Sequence, residues 1–245
     1  MAAKSKEGPG PGAGEDSDFN IFGLSYQLPL LDTTSETKER LLMSSTILFA
    51  KRGYAAVSIR DIAQANGIKP ASIYNHFKSK EALWAATLEH LEKLNLLYFE
   101  HLEEAVSQAR TFEEFLAAIF YEPKRLGNHF TTYGISLIVL EQVNDRLAAE
   151  AFQRIFKLST DFLREKFDDY VTRGQVRPFD TQVAAVFIMN TVYMGLVAKV
   201  QEIEGGPMFF QTEKVFADLE RFILWATGAK PAPAQDLTLD QMPAD

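Results

Sequence analysis

An all-α fold follows from three features of this 245-residue chain. Apolar residues recur at three- and four-residue spacing through almost every segment after residue 35, the period of amphipathic helices. Residues that start helices (Ser, Thr, Asp) and residues that stop them (Gly, Pro) fall between those segments. Strand signals are missing apart from short β-branched clusters inside helical patterns. The breaks predict a small three-helix unit that contains a helix-turn-helix, followed by a larger helical body.

Residues 1–18 are Gly, Pro, Ala, Ser and acid with a few Lys, a composition too polar to form a core, and are expected to be disordered. Residues 19–31 are far more apolar, and Gly23 and Pro29 argue against a long helix there. They predict an ordered arm that packs on the body or on a second subunit. Thr33 and Glu36 fit a capping box, which predicts a first helix from about 35 to 52 with Leu41, Leu42, Ser45, Leu48 and Phe49 as its buried stripe and Gly53 as its stop. Ser58 and Asp61 fit a second capping box, so another helix begins just after Ser58. Asn66-Gly67 ends it, because Gly accepts the left-handed cap conformation. Pro70 suits the first turn of the next helix, where its missing N–H is harmless. In that short helix Ile73 and Phe77 point inward, leaving Ala71, Ser72, Tyr74, Asn75 and His76 outside. Lys78-Ser79-Lys80-Glu81 opens a rod to about residue 108, about 43 Å long at 1.5 Å per residue.

The body continues with a helix capped by Thr111 that stops near Pro123, another at about 131–143, and a long one from Asn144-Asp145 to about 173 closed by Gly174 and Pro178. Asp180 caps a strongly apolar helix to about 203, Gly205-Gly206-Pro207 breaks the chain, and a last helix covers about 212–227. Residues 229–245 are expected to be a loose tail. The domain division expected is 1–32 tail and arm, 33–79 helix-turn-helix unit, 80–228 body and 229–245 tail.

Two short helices joined by a Gly turn can be a plain helical hairpin or a DNA-reading unit whose second helix enters the major groove. Small, polar and aromatic residues on the outer face of residues 70–76 suit close approach to base edges. Within this stretch, Phe49, Gly53, Tyr54, Ser58, Ile59, Arg60, Asp61, Ile62, Ala63, Gly67 and Ile68, with the run Ile73-Tyr74-x-His76-Phe77-x-x-Lys80-Glu81-x-Leu83, resemble the amino-terminal domain of the TetR family of bacterial repressors. The likeness is at motif level over residues 35–83; beyond it only helix order and length are similar.

The resemblance implies a dimer on a palindromic double-stranded operator. Ser58, Lys69, Tyr74, Lys78 and Lys80 are candidates for phosphate contacts, Arg60 for a phosphate or a nearby base, and Pro70 starts the reading helix. Ala71, Ser72, Asn75 and His76 are candidates for base edges: Asn can bond adenine at two points, and Ala can meet a thymine methyl. One departure stands out: Lys69 occupies a position where many relatives have Ser, so no side-chain oxygen caps the reading helix, and Ala71 stands where many have Gly.

Charge distribution supports this reading. The chain carries a net −8, yet residues 35–80 hold eight bases against three acids, +5 locally and −13 elsewhere. A basic module on an acidic body is an electrostatic footprint for contact with DNA at one end. The helices near 180–203 and 212–227 are more apolar than a surface needs, and small residues such as Ala184, Ala185, Gly195 and Ala198 permit close packing. A two-fold four-helix bundle between two chains buries them, which the resemblance also implies; burial within one chain is the alternative.

The resemblance further implies an effector pocket in the body. Apolar and polar candidates for its lining are Phe115, Phe120, Tyr133, Leu137, Gln142, Asn190, Tyr193 and Met194, and the 19 Phe of the chain suggest a lipophilic effector. Each Phe can equally be plain core, and Asn190 an inter-helix hydrogen bond.

Other chemistry lacks residues to carry it. There is no Cys, so no disulfide, thiolate nucleophile or Cys-based metal site. His76, His90, His101 and His129 fall in no metal spacing, and neither G-x-G-x-x-G nor a phosphate-loop pattern occurs. No enzyme, cofactor or metal is expected. No uninterrupted apolar run reaches about 18 residues and no signal-peptide order opens the chain, so a cytoplasmic protein without a membrane span is expected. The expectation is a repressor released by a small lipophilic effector. An effector-independent DNA-binding regulator is the alternative, and a helical ligand carrier or enzyme a more remote one.

Overall fold

In a computed structural model that describes residues 36–126, 129–206 and 212–229, α1 (Glu36–Arg52) starts the fold by burying Leu41, Leu42, Ser45 and Phe49. Leu48 lies half-buried at the edge of that stripe. Gly53 ends the helix with a φ of +81°, its N–H on the carbonyl of Phe49. α2 (Ile59–Ala65) and α3 (Pro70–Tyr74) follow, then the rod α4 (Lys80–Ser107). The body is built from α5 (Phe112–Leu126), α6 (His129–Glu141), α7 (Arg146–Thr172), α8 (Thr181–Ile203) and α9 (Thr212–Thr227). The described residues are all helix and connection. The apolar arm at 19–31, Thr33 and the tail beyond Ala229 lie outside them.

Three helix starts of the body, those of α5, α7 and α8, are held by local hydrogen bonds. Thr111 Oγ1 accepts from the Glu114 N–H at 3.1 Å while the Glu114 carboxylate takes the Arg110 N–H at 2.7 Å. Asp145 caps α7 through the Ala148 N–H at 2.8 Å, and Asp180 caps α8 through the Val183 N–H at 2.9 Å. One boundary differs from expectation: α5 runs past Pro123 to Leu126. Proline removes one i to i−4 hydrogen bond and can bend a helix without ending it. The buried stripe of Phe112, Phe115, Leu116, Ile119 and Phe120 has by then committed the segment.

α7 is the keel of the body. Its Ala148, Ala151, Ile155, Ser159, Leu163, Phe167 and Tyr170 are buried at helical spacing. Aromatic rings pack on this face edge to face: Phe167 meets Phe112, Phe115 and Phe179 at centroid distances of 5.8, 5.9 and 5.6 Å. Such pairs bind through the ring quadrupole in addition to area burial. These Phe residues therefore build packed core here.

α8 packs against α6 and α7. Ala185, Ile188, Met189 and Tyr193 face inward, the Tyr193 hydroxyl sharing a hydrogen bond with Ser159 at 2.8 Å. Burial pushes the Tyr193 phenol up to about 12. Val183, Phe187, Asn190 and Met194 form an outward stripe, with Met194 56% exposed. The segment Thr181–Gln201 is long and apolar enough to cross a membrane, with a mean hydropathy of 1.8. This departs from the expectation drawn from uninterrupted runs, because Thr181, Gln182, Asn190 and Thr191 interrupt the run without lowering its mean much. Here the inner face of that helix is covered by α6 and α7, as in a core helix.

Candidate nucleic-acid interface

The helix-turn-helix is assembled by backbone chemistry. Ser58 and Asp61 form the reciprocal capping box: Ser58 Oγ accepts the Asp61 N–H, and the Asp61 carboxylate accepts the Ser58 N–H at 2.7 Å. Bonds from the Ser58 hydroxyl and N–H, reinforced by Arg52 at 3.1 Å, hold the Asp61 carboxyl down at about 2. α2 ends in a Schellman motif. The Ile68 N–H reaches the Ala63 carbonyl at 3.0 Å and the Gly67 N–H reaches Gln64 at 3.1 Å. Gly67 sits at φ +63°, where a side chain would be strained. Asn66 Nδ2 ties this turn to α1 through Ser44 Oγ at 2.7 Å.

α3 opens at Lys69, which makes no side-chain cap, and Pro70 occupies its first turn. Ile73 and Phe77 are buried, fixing the roll of the helix. That roll leaves Ala71, Tyr74 and Asn75 exposed, Tyr74 by 53%, and Ser72 and His76 half-buried. Around this face Arg60, Lys69 and Lys78 are exposed and make no ion pair among the described residues. The outer surface of the turn unit is therefore a short polar helix framed by free cations.

Lys80 is placed differently. Its ammonium donates to the Tyr54 carbonyl at 2.6 Å and lies 4.2 Å from the centre of the Tyr54 ring, turned into the fold rather than out toward a phosphate. The Tyr54 N–H is taken by Glu141 Oε1, at the end of α6, at 2.9 Å. One residue at the entrance to the helix-turn-helix is thus gripped by α4 on one side and α6 on the other. Trp84 completes the joint: it stacks on Tyr54 at 4.7 Å, meets Phe49 edge-on at 5.4 Å, and donates its indole N–H to Asp145 at 3.0 Å. Lys51, at the end of α1, pairs with Glu204 beyond α8 at 2.8 Å, and Tyr133 donates its hydroxyl to the same carboxylate. Glu204 raises the Lys51 pKa, and Lys51 in turn lowers that of Glu204.

Of these joint residues, Lys80 and Tyr133 stood out in the sequence, for DNA and for an effector, while Trp84, Asp145, Glu141, Lys51 and Glu204 did not. Trp84 and Asp145 are 61 positions apart and Tyr54 and Glu141 are 87 apart, and no local pattern joins them.

The eight residues expected around an effector lie at several places in the body. Phe115 belongs to the ring cluster on α7, Leu137 and Phe120 are buried core, and Tyr133 serves the Glu204 joint. Gln142 bonds the Val139 carbonyl at 2.9 Å at the end of α6, and Tyr193 bonds Ser159. Asn190 and Met194 lie on the outward stripe of α8, each one residue and so about 100° round the helix from the buried Met189 and Tyr193. A small gap of about 20 Å³ opens elsewhere, between α4 and α6, beside Asn95.

Comparison with known proteins agrees with this geometry. The family model of bacterial regulatory proteins, tetR family, matches residues 41–87. The HTH-type transcriptional repressor KstR2 of Rhodococcus jostii is 30% identical over 176 residues, covering 69% of this chain and 83% of that protein. The HTH-type transcriptional regulator YerO of Bacillus subtilis is 41% identical over 70 residues, and the match spans only 24% of its length. A transcriptional regulator of Saccharomonospora viridis, solved in complex with choline, aligns with a TM-score of 0.62 at 19% identity over 77% of this chain and 95% of its own. FadR of Bacillus subtilis, solved with stearoyl-CoA, aligns at 0.56 and 16% identity over 78% of this chain and 98% of its own. At those identities the structural likenesses speak for the fold.

Proposed function

This chain belongs to the TetR family of bacterial transcriptional regulators, and we propose that it works as a dimeric repressor released from a palindromic operator by a small effector. The observation that carries the reading is the exposed α3 face framed by Arg60, Lys69 and Lys78 on a rod continuous with the body. In this reading Ala71, Ser72, Asn75 and His76 meet base edges in the major groove. Ser58, Arg60, Lys69, Tyr74 and Lys78 bond phosphates, and Pro70 starts the reading helix. Lys80 holds the reading unit through Tyr54 instead. No catalytic role is assigned, and the protein acts in the cytoplasm.

Dimerisation through α8 and α9 is supported by the apolar residues those helices leave outside. Val183, Phe187 and Met194 on α8, and Phe222 and Trp225 on α9, are about half exposed or more in the single chain. A second copy of the same pair buries them in a four-helix bundle and sets two α3 helices on one face of a duplex. That two solved neighbours carry small molecules supports an effector.

The test is fluorescence anisotropy on labelled duplex from the upstream region of its own gene, across a salt series. The expected result is tight binding that a scrambled duplex does not match and that weakens steeply with salt. Equal, weak binding to both duplexes sinks the assignment of that operator. Sedimentation of Phe187→Glu should show monomer where the parent shows dimer; an unchanged dimer overturns the α8–α9 interface.

A further inference from the structure

We propose that Asn95 anchors a neutral lipophilic carbonyl compound in the gap between α4 and α6, an inference that rests on the effector-responsive reading above. Asn95 sits in the middle of α4, and its Nδ2 is buried without a hydrogen-bond partner. Buried polar groups are almost always paired, so one left open beside a gap marks a place where an acceptor belongs. The gap, about 20 Å³, has room for about one small group such as a carbonyl oxygen. Its remaining walls are Leu91, Leu94, Tyr98, Thr131, Gly134 and Ile135.

The walls select the class of ligand. Nδ2 is a donor, so the ligand must bring an acceptor. No Lys, Arg or His lines the gap, so a carboxylate would be buried without a counter-charge. A ketone, ester or lactone meets the donor without that penalty. Aliphatic walls suit the rest of the molecule.

Geometry also says what occupancy would do. α4 and α6 touch only over a short stretch. At Gly134 a Cβ would lie 2.6 Å from Leu91 Cδ2, so the two helices already meet there as closely as they can. A ligand larger than the gap must push them apart. Both helices hold the backbone of Tyr54, α6 through Glu141 on its N–H and α4 through Lys80 on its carbonyl. Four residues on, Ser58 caps α2. Separation of α4 from α6 thus strains Tyr54, which both helices hold at the entrance to the helix-turn-helix, and this lowers operator affinity if the ligand binds the separated state better.

The experiment uses the full-length protein and 2-octanone as probe, with octanoate at pH 7.5 as its charged counterpart. The Asn95 side-chain amide pair is identified in a ¹⁵N correlation spectrum by its loss in Asn95→Leu. The expected result is that 2-octanone shifts this pair and octanoate does not, and that Asn95→Leu and Asn95→Asp each weaken 2-octanone binding at least about ten-fold with melting curves near the parent's. Equal 2-octanone affinity in parent and both variants, an unmoved amide pair, or octanoate binding as well as the ketone overturns the proposal. The two readings fail separately. Loss of the Asn95 effect with operator binding intact removes only the anchor. Ketone binding through Asn95 that leaves operator affinity unchanged keeps the anchor and removes release by this route.

Discussion

The helix-turn-helix and the body are both helical, yet they are held by different physics. From Ser58 to Ser79 the structure rests on short-range hydrogen bonds: a capping box, a Schellman turn, a proline start and the Ser79 cap of α4. Only Ile62, Ala63, Ile73 and Phe77 are buried there. The body rests on contacts between residues far apart in sequence, such as Phe112 on Phe167 and Phe152 on Tyr193. A unit built from local bonds keeps its outer face free for DNA. A unit built from packing can shift its helices and so can serve as the responsive part. The joint at Tyr54, Trp84 and Lys51 belongs to neither and fastens one to the other.

The largest effect that would sharpen this contrast is expected at Phe167. Its ring is fully buried among three others, and Phe167→Ala should destabilise the protein by about 3–5 kcal/mol in urea denaturation. A loss under about 1 kcal/mol would mean that the body is loosely packed and the contrast mistaken.

Next comes pH. Burial lowers the His90 pKa to about 4 from an ordinary 6.5, so the folded rod holds the neutral ring. Between about pH 6.5 and 4 the unfolded chain binds a proton that the folded one refuses, so stability falls as pH falls through that window and levels off below it. The full change is about 3 kcal/mol. His90→Leu should flatten this slope in thermal melts recorded from pH 7 to 4; an equally steep slope assigns it to other groups.

Within the helix-turn-helix the changes are smaller. Gly67→Ala forces a side chain to φ +63° and should lose about 1–2 kcal/mol, read as a lower denaturation midpoint. Ser58→Ala removes the cap and should lose about 1 kcal/mol. It should also move the Asp61 carboxyl up from about 2 toward 3.8, which NMR titration reads directly. Because a depressed carboxyl stabilises the fold above its unfolded pKa, the parent should shed this contribution between about pH 4 and 2 and the variant, which keeps the residue 58 N–H and Arg52, should shed less. An unmoved Asp61 would break the claim that local bonds hold this unit.

The smallest stability effect, and the sharpest functional one, is expected at Lys78. It is exposed and unpaired, so Lys78→Ala should change stability by less than about 0.5 kcal/mol. It should reduce the slope of log affinity against log salt by about 0.9, the loss of one phosphate contact. Lys80→Ala should do the reverse, lowering stability more than the salt slope, because its ammonium is spent on Tyr54.

Most helix boundaries could be read from residues alone, because caps and stops act within four positions: Ser58 with Asp61, Asn66 with Gly67, Asp145 with Ala148. The exposed face of α3 could be read as well, since Ile73 and Phe77 fix its roll. The inner face of α8 could not. Met194 and Asn190 share a helix with Met189 and Tyr193, and composition does not say which side of α8 meets α6 and α7. Asn95, a lone amide between Leu94 and Leu96, carried the same local signal as Asn190, and only packing separated the two.

The sequence by itself determined the helix order, the turn unit, its family and the basic end of an acidic chain, because each is set by neighbours along the backbone. Tertiary structure alone decided that Lys80 turns inward to Tyr54, that Trp84 links Phe49 to Asp145, and that a small gap lies beside Asn95. Those depend on how helices distant in sequence dock. Docking is chosen by the fit of many weak, non-directional contacts, which no single segment encodes.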